Sequence, residues 1–149
     1  MEIFRSRPKG VYIHEANWEE LYVLTEHWKK DLGFYKEDLL FLHRLIDKYF
    51  IWIVKEENNE AVRKILHGVQ KMKDKCRDLL EKVSSHLNRV GNFVEKPEPE
   101  EDRLFRIEHE HLEDEIADFV KAFRKNRRDV FEITEHVVDS EKLIGLLEN

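Results

Sequence analysis

The chain has 149 residues, of which 39% are charged and 41% hydrophobic, which is enough for one domain with an apolar core. Five glycines and three prolines are too few for a disordered or turn-rich all-β chain. The net charge of −6 argues against a protein that coats nucleic acid through bulk charge. We therefore predict a single helical domain over residues 1–149 and do not expect nucleic acid as its partner.

Cysteine content and apolar runs indicate the compartment. Cys76 is the single cysteine, so no internal disulfide can form, and a reducing compartment suits the chain. The first residues lack the apolar core of a signal peptide. The most apolar run, residues 49–54, is far shorter than the roughly 20 residues that cross a bilayer. We expect a cytoplasmic protein with no membrane association.

The beginning of the chain mixes basic residues, Pro8 and Gly10 with a few apolar residues, which predicts an extended arm over residues 1–14. Helix 1 is predicted over about 17–54. Asn17 and Glu20 have the spacing of a capping box, which marks its start. Gly33 lies inside the predicted helix, where glycine is less stable than alanine by about 1 kcal/mol, so a kink or break is allowed there. The heptad pattern continues through Gly33, which favours a continuous helix.

Helix 1 has apolar residues on two sides. Its seam, in steps of three and four, contains Trp18, Leu21, Thr25, Trp28, Leu32, Tyr35, Leu39, Leu42, Ile46, Tyr49 and Ile53. That heptad repeat predicts lengthwise packing against other helices. Outside the seam, where a bundle helix is normally polar, stand Val23, Phe34, Leu40, Phe41 and Ile51. We predict that these five residues, the outer face of helix 1, contact a partner.

Two further helices are predicted, over about 59–94 and 100–138, separated by the break at Lys96-Pro97-Glu98-Pro99. Short loops make consecutive helices antiparallel neighbours, and the heptads give a left-handed supercoil. Asp139 or Ser140 can cap a short C-terminal helix over 139–149, which would pack as a partial fourth element. The predicted fold is an all-α, antiparallel up-down-up bundle of three long helices.

Four seam positions are polar: Thr25, His86, His109 and Asn126. Facing residues of straight antiparallel helices have nearly constant sums of residue numbers, and this places Thr25, His86 and His109 at one level. The first interpretation is a polar core layer that fixes the register of the helices, as buried polar residues do in coiled coils.

The second interpretation is a transition-metal site. His86 and His109 would supply imidazole ligands, and Glu113, one turn beyond His109, would supply a carboxylate. Glu113 can instead form an ion pair with Lys82. No other cofactor is expected.

A basic patch is predicted on the outward positions of helices 2 and 3. Its members are Lys71, Lys73, Lys75, Arg77, Lys121, Arg124, Lys125, Arg127 and Arg128. Such a patch can bind nucleic acid or another polyanion. Because acidic residues stand among its members and no aromatic residues interleave, an ion-paired, solvated surface is the preferred interpretation.

The sequence contains no glycine-rich phosphate loop, nucleophile elbow, paired cysteines or zinc-protease motif, so an enzyme is not expected. We predict a non-enzymatic interaction or assembly protein that forms a homodimer or binds a protein partner through the outer face of helix 1. A metal-binding bundle and a polyanion-binding module are the alternatives.

Overall fold

The computed structural model describes the backbone of residues 15–56 and 59–148 and the side chains of residues 15–49, 60 and 62–135. Within that part of the chain the secondary structure is helical, without strands. The helices are α1 (Trp18–Glu56), α2 (Asn59–Glu95) and α3 (Pro99–Glu148). The predicted all-α fold with three long packed helices is confirmed. The predicted arm, residues 1–14, lies outside the described residues.

Local sequence explains where α1 and α3 begin. Asn17 Oδ1 accepts a hydrogen bond from the Glu20 amide at 2.8 Å, which satisfies one of the free N–H groups of the first turn of α1. α1 then continues through Gly33 without a break. Pro99 occupies the first position of α3, where its missing N–H costs nothing and its fixed φ suits a helix.

The predicted C-terminal helix over 139–149 was wrong as a separate element, because α3 has 50 residues and runs unbroken to Glu148. Asp139 and Ser140 are good capping residues, but each costs less than about 0.7 kcal/mol inside a helix. No proline follows them, so the helix continues.

The chain divides into two compact units, and every helix contributes to both. Of the described residues, unit 1 contains 15–36 and 75–121, and unit 2 contains 37–56, 59–74 and 122–148. The predicted seam residues of helix 1 whose side chains are described are buried or half-buried, and none is exposed. The heptad pattern therefore identified the core side of α1.

In unit 1, the apolar cluster near the start of α1 includes Leu21, Val90 and Phe105, all 0% exposed. Trp18 stacks on Phe93 with ring centroids 4.7 Å apart. Farther along α1, the Leu32 carbonyl accepts a hydrogen bond from the Cys76 thiol at 3.3 Å. In these contacts, residue numbers fall along α2 as they rise along α1.

In unit 2, Val62 and Ile133 are buried together, with Tyr49, Ile65 and Leu66 packed around them. Polar contacts on the surface of this unit join Asp38 to Arg127 at 3.1 Å and His43 to Lys73 at 3.4 Å.

Candidate functional site

Two histidines meet in the core of unit 1. His86 on α2 is 5% exposed and His109 on α3 is fully buried. His86 Nε2 and His109 Nδ1 are 2.7 Å apart, so one imidazole donates a hydrogen bond and the other accepts it. The structure therefore brings together the two residues that the antiparallel geometry placed at one level.

Aromatic rings enclose this pair. The His86 ring stacks on Phe105, with centroids 4.3 Å apart and planes 9° from parallel. Trp28 of α1 lies 4.5 Å from the His109 ring, centroid to centroid. Burial, and to a smaller extent the positive charge of Arg89, lowers the pKa of His86 to about 4, although Glu108 opposes the shift. His86 is therefore neutral at pH 7.

The other two polar seam residues do not join the histidines in one hydrogen-bonded layer. Thr25 is fully buried, but its hydroxyl donates to the Leu21 carbonyl of its own helix at 2.7 Å. Asn126 belongs to unit 2, where it faces Gly68. Of the four polar seam residues, His86 and His109 are thus the two that form a polar contact between α2 and α3.

The geometry does not support the metal site predicted at His86, His109 and Glu113. Two imidazole nitrogens on one tetrahedral zinc ion, each about 2.0–2.1 Å from it, would be about 3.3 Å apart, and these nitrogens are hydrogen-bonded at 2.7 Å. Glu113 is buried, at 3% exposure. Among the described residues, no group of three His, Cys, Asp or Glu side chains is arranged to hold a metal ion. Lys82, the alternative partner predicted for Glu113, forms its ion pair with Glu115 at 3.0 Å.

An open groove runs between α2 and α3 of unit 1, and His86 is among its lining residues. Four of its charged lining residues form two ion pairs, Arg89 with Glu108 and Lys82 with Glu115, and Glu81 also lines the groove. These two pairs neutralise most of the charge along the groove. With a pKa of about 4, His86 is also a weak general base near neutral pH.

Arg106 is a structural residue that sequence reasoning missed. It is 9% exposed, its Nη1 donates to the Ala16 carbonyl at 2.7 Å, and its Nε contacts Asp102 one turn earlier. Its guanidinium lies 4.5 Å from the Trp18 ring centroid. The i, i+4 spacing of Asp102 and Arg106 was the available signal, but only the structure shows that this arginine fixes the chain just before α1.

The predicted basic patch is divided between the units. Unit 1 contains Lys75, Arg77 and Lys121, and unit 2 contains Lys71, Lys73, Arg124, Lys125, Arg127 and Arg128. Several of these residues are paired: Lys75 with Glu115 at 3.6 Å, Arg77 with Asp78 at 4.0 Å, and Arg127 with Asp38 at 3.1 Å. These contacts agree with an ion-paired surface for those members.

The outer face of α1 is exposed where it is described. Val23 is 52% exposed, Phe34 69%, Leu40 38% and Phe41 42%. The side chain of Ile51, its fifth predicted member, lies outside the described residues. Phe41 is partly covered by Phe131, at a ring-centroid distance of 6.3 Å. In the described part of the chain no helix is long and apolar enough to cross a membrane.

No protein-family model and no solved structure match the chain. The chain is similar to a cysteine–tRNA ligase of a Nitratiruptor species, with 26% identity over 137 residues, which is 90% of this chain and 24% of that protein. The chain thus spans about a quarter of the length of the curated relative that it matches.

Proposed function

We propose that this chain is a non-enzymatic protein-interaction module that binds its partner through the outer face of α1. The observation that carries the proposal is the distribution of exposed apolar side chains. Of the five large hydrophobic residues that are exposed in the described part of the chain, four lie on α1 and one, Leu104, lies on α3. Apolar side chains concentrated on one face are typical of interaction surfaces.

Helix geometry supports a single contact stripe. Val23 and Phe34, both in unit 1, are separated by eleven residues, which is close to three full turns. These two side chains therefore leave α1 in nearly the same direction, opposite to the buried Leu32. Covering a phenylalanine side chain fully gains about 1.5–3 kcal/mol, so this stripe can supply useful binding energy.

The histidine pair supports the non-enzymatic part of the proposal. His86 combines a pKa of about 4 with a hydrogen bond to His109 and stacking on Phe105, which suits a structural role in the core. Most of the charged residues that line the groove beside it are held in two ion pairs, Lys82 with Glu115 and Arg89 with Glu108.

Site-specific photo-crosslinking tests the proposal. A photoreactive amino acid would replace Phe34 in one variant and Leu104 in the other, a matched control since these residues are 69% and 67% exposed. We expect a discrete protein adduct from position 34 that excess unlabelled wild-type chain competes away and excess Phe34→Glu chain does not. Equal adduct yields from positions 34 and 104, or no adduct from position 34, would contradict an interaction through this face.

RNA binding is a second candidate function, favoured by the similarity to a protein named cysteine–tRNA ligase. Lys125 and Arg128 are exposed basic residues of the predicted patch that could contact phosphates. Binding of transfer RNA should then weaken steeply as salt rises from about 50 to 200 mM, and the double variant Lys125→Glu, Arg128→Glu should bind at least about tenfold more weakly. Absence of binding at about 50 mM salt would remove this candidate.

A further inference from the structure

We infer that the partner on the outer face of α1 is a basic amphipathic helix of another protein, which binds the part of that face that belongs to unit 1. This inference rests on the proposed function, since it identifies the chemistry of the partner on which that function relies. Within unit 1 the face presents Val23, which is 52% exposed, and Phe34, which is 69% exposed.

The charged residues around Val23 and Phe34 are mostly acidic. On a helix surface, the neighbours of a side chain are the residues three and four positions away. In unit 1 these positions are occupied by Glu19, Glu20, Glu26, His27, Lys30 and Asp31. Four carboxylates and one lysine give this set a net charge of −3 with the histidine neutral. All six side chains are exposed except that of Glu26, which is half-buried.

The rest of unit 1 is acidic as well. The residues that the structure describes in unit 1 include 18 acidic and 11 basic ones, a net charge of −7, whereas those of unit 2 include 12 of each. Glu19, Glu26 and Asp31 take no part in the ion pairs formed among the described side chains. Their charge is therefore available to attract a cationic partner.

The same charge disfavours the other occupants of an exposed apolar face. Nucleic acid and anionic lipid are negatively charged and would be repelled by these carboxylates. A second copy that presented the same face would bring two negatively charged surfaces together. A basic partner with an apolar side complements both the charge and the exposed side chains.

The geometry of α1 favours a helix as the form of that partner. Between Val23 and Phe34 the backbone N–H and C=O groups are used inside α1, so a partner strand could not hydrogen-bond to them. These two residues are eleven positions apart, which is about 16 Å along the axis. A helix with apolar residues at i, i+4, i+7 and i+11 covers that length with one face, and lysine or arginine beside those residues would face the carboxylates.

A designed peptide tests this inference. The probe is a fluorescent peptide of about 18 residues with leucine on one helical face and lysine on the other, and the control peptide has glutamate in place of every lysine. Fluorescence anisotropy with the full wild-type chain should show saturable one-to-one binding of the lysine peptide, and binding of the glutamate peptide should be at least about tenfold weaker. Failure of the lysine peptide to bind, or equal binding of both peptides, would overturn the inference.

Phe34→Glu distinguishes binding at this face from general attraction between opposite charges. The variant makes unit 1 more acidic, so general attraction would tighten binding of the lysine peptide, whereas the loss of the apolar contact should weaken it at least about tenfold. Leu104→Glu adds the same charge to unit 1 at a site of matched exposure, 67%, and should not weaken binding. Circular dichroism verifies that each variant is folded.

A charge-reversed variant tests the carboxylates. Glu19→Lys combined with Asp31→Lys should weaken binding of the lysine peptide at least about fivefold at about 50 mM salt, and by less at about 500 mM, where charges are screened. An affinity that does not change in this double variant at low salt would mean that these carboxylates do not select the partner.

Failure of this inference can be distinguished from failure of the proposed function. If the photo-crosslinked adduct from position 34 has the mass of two chains, the partner is a second copy, and the face remains the interaction surface. If that adduct contains another protein but Phe34→Glu leaves binding of the lysine peptide unchanged, the partner is not a basic helix. The absence of an adduct from position 34 contradicts the proposed function itself.

Discussion

His86 makes the stability of the fold depend on pH. Burial lowers its pKa to about 4 in the folded chain, whereas an unfolded histidine titrates near 6.5. Between these values the unfolded chain binds the extra proton, so the free energy of unfolding falls as the pH decreases from about 6.5 toward 4. We expect a loss of about 1.4 kcal/mol by pH 5.5, which corresponds to a melting temperature about 3–6 °C lower than at pH 7.5.

Two variants test whether the buried His86 causes this dependence of stability on pH. His86→Gln cannot titrate and retains a side-chain amide that can hydrogen-bond to His109, so melting should depend less on pH. His111→Gln, which changes an exposed histidine on α3, should leave the wild-type slope intact. Scanning calorimetry at several pH values makes the comparison, and a wild-type melting temperature that is equal at pH 7.5 and 5.5 would contradict the assignment.

Cys76 should be chemically inert in the folded chain. Burial raises the pKa of its thiol to about 11, the positive charge of Lys36 opposes that shift, and the S–H donates to the Leu32 carbonyl at 3.3 Å. At pH 8 only about 0.1% of this thiol is then ionised, and the thiolate is the reactive form. We expect labelling by a disulfide reagent to be at least about a hundredfold slower in buffer than in denaturant. Rapid stoichiometric labelling of the folded chain would show that the thiol is accessible.

At the level of single residues, the sequence predicted those core contacts that the heptad pattern alone determines. His86 and His109 come together because both occupy seam positions at matching heights. The side-chain conformation of Thr25 is not encoded in that pattern, because its hydroxyl can bond to its own helix as readily as to a neighbour. Arg106 was missed for a similar reason: its long side chain reaches a buried carbonyl from a position flanking the seam.

Within the helices, the substitutions Gly33→Ala and Gly68→Ala should change the stability of the chain differently. No atom outside the local backbone lies within 4 Å of a Cβ placed at Gly33, whereas one placed at Gly68 would be 2.7 Å from Asn126 Nδ2. Gly33→Ala should therefore stabilise the chain by about 0.5–1 kcal/mol, since alanine is the better helix former. Gly68→Ala should gain less or destabilise, because the Asn126 side chain must move.

The Asn126→Ala background provides the control for this comparison. In that background the Asn126 side chain no longer obstructs a Cβ at position 68, so Gly68→Ala should stabilise the chain about as much as Gly33→Ala does. Urea unfolding of the wild-type chain, the two single variants and the double variant then gives the coupling between positions 68 and 126. Equal effects of Gly68→Ala with and without Asn126 would mean that the close approach does not limit this site.

The positions where α1 begins and α3 ends show what a sequence can predict about helix length. The start of α1 was found because the Asn17 side chain supplies a hydrogen-bond acceptor that the first turn needs. The end of α3 was misplaced because the signals at Asp139 and Ser140 favour a cap without forbidding a helix. Prolines such as Pro97 and Pro99 constrain the backbone directly, whereas capping residues only bias it.

At the scale of the whole molecule, association and folding are linked. A ligand or partner that binds only the folded state raises its stability by mass action, and a second copy of the chain acts in the same way. For a dimer that unfolds to separate chains, a hundredfold rise in concentration is worth about 1.4 kcal/mol per chain, or roughly 3–5 °C in melting temperature.

If the partner on the outer face of α1 is a second copy of the chain, the melting temperature of the wild-type chain should rise between 2 and 200 µM, by that amount at most when the chain is partly monomeric at 2 µM. Phe34→Glu should remove the concentration dependence, because it places a charge where two apolar side chains would meet. Leu104→Glu should retain it, since that residue, at 67% exposure on α3, lies outside the proposed contact. Scanning calorimetry at matched concentrations distinguishes these cases. A melting temperature independent of concentration in all three chains would mean that α1 does not pair with itself, and its exposed phenylalanine would then require a different partner.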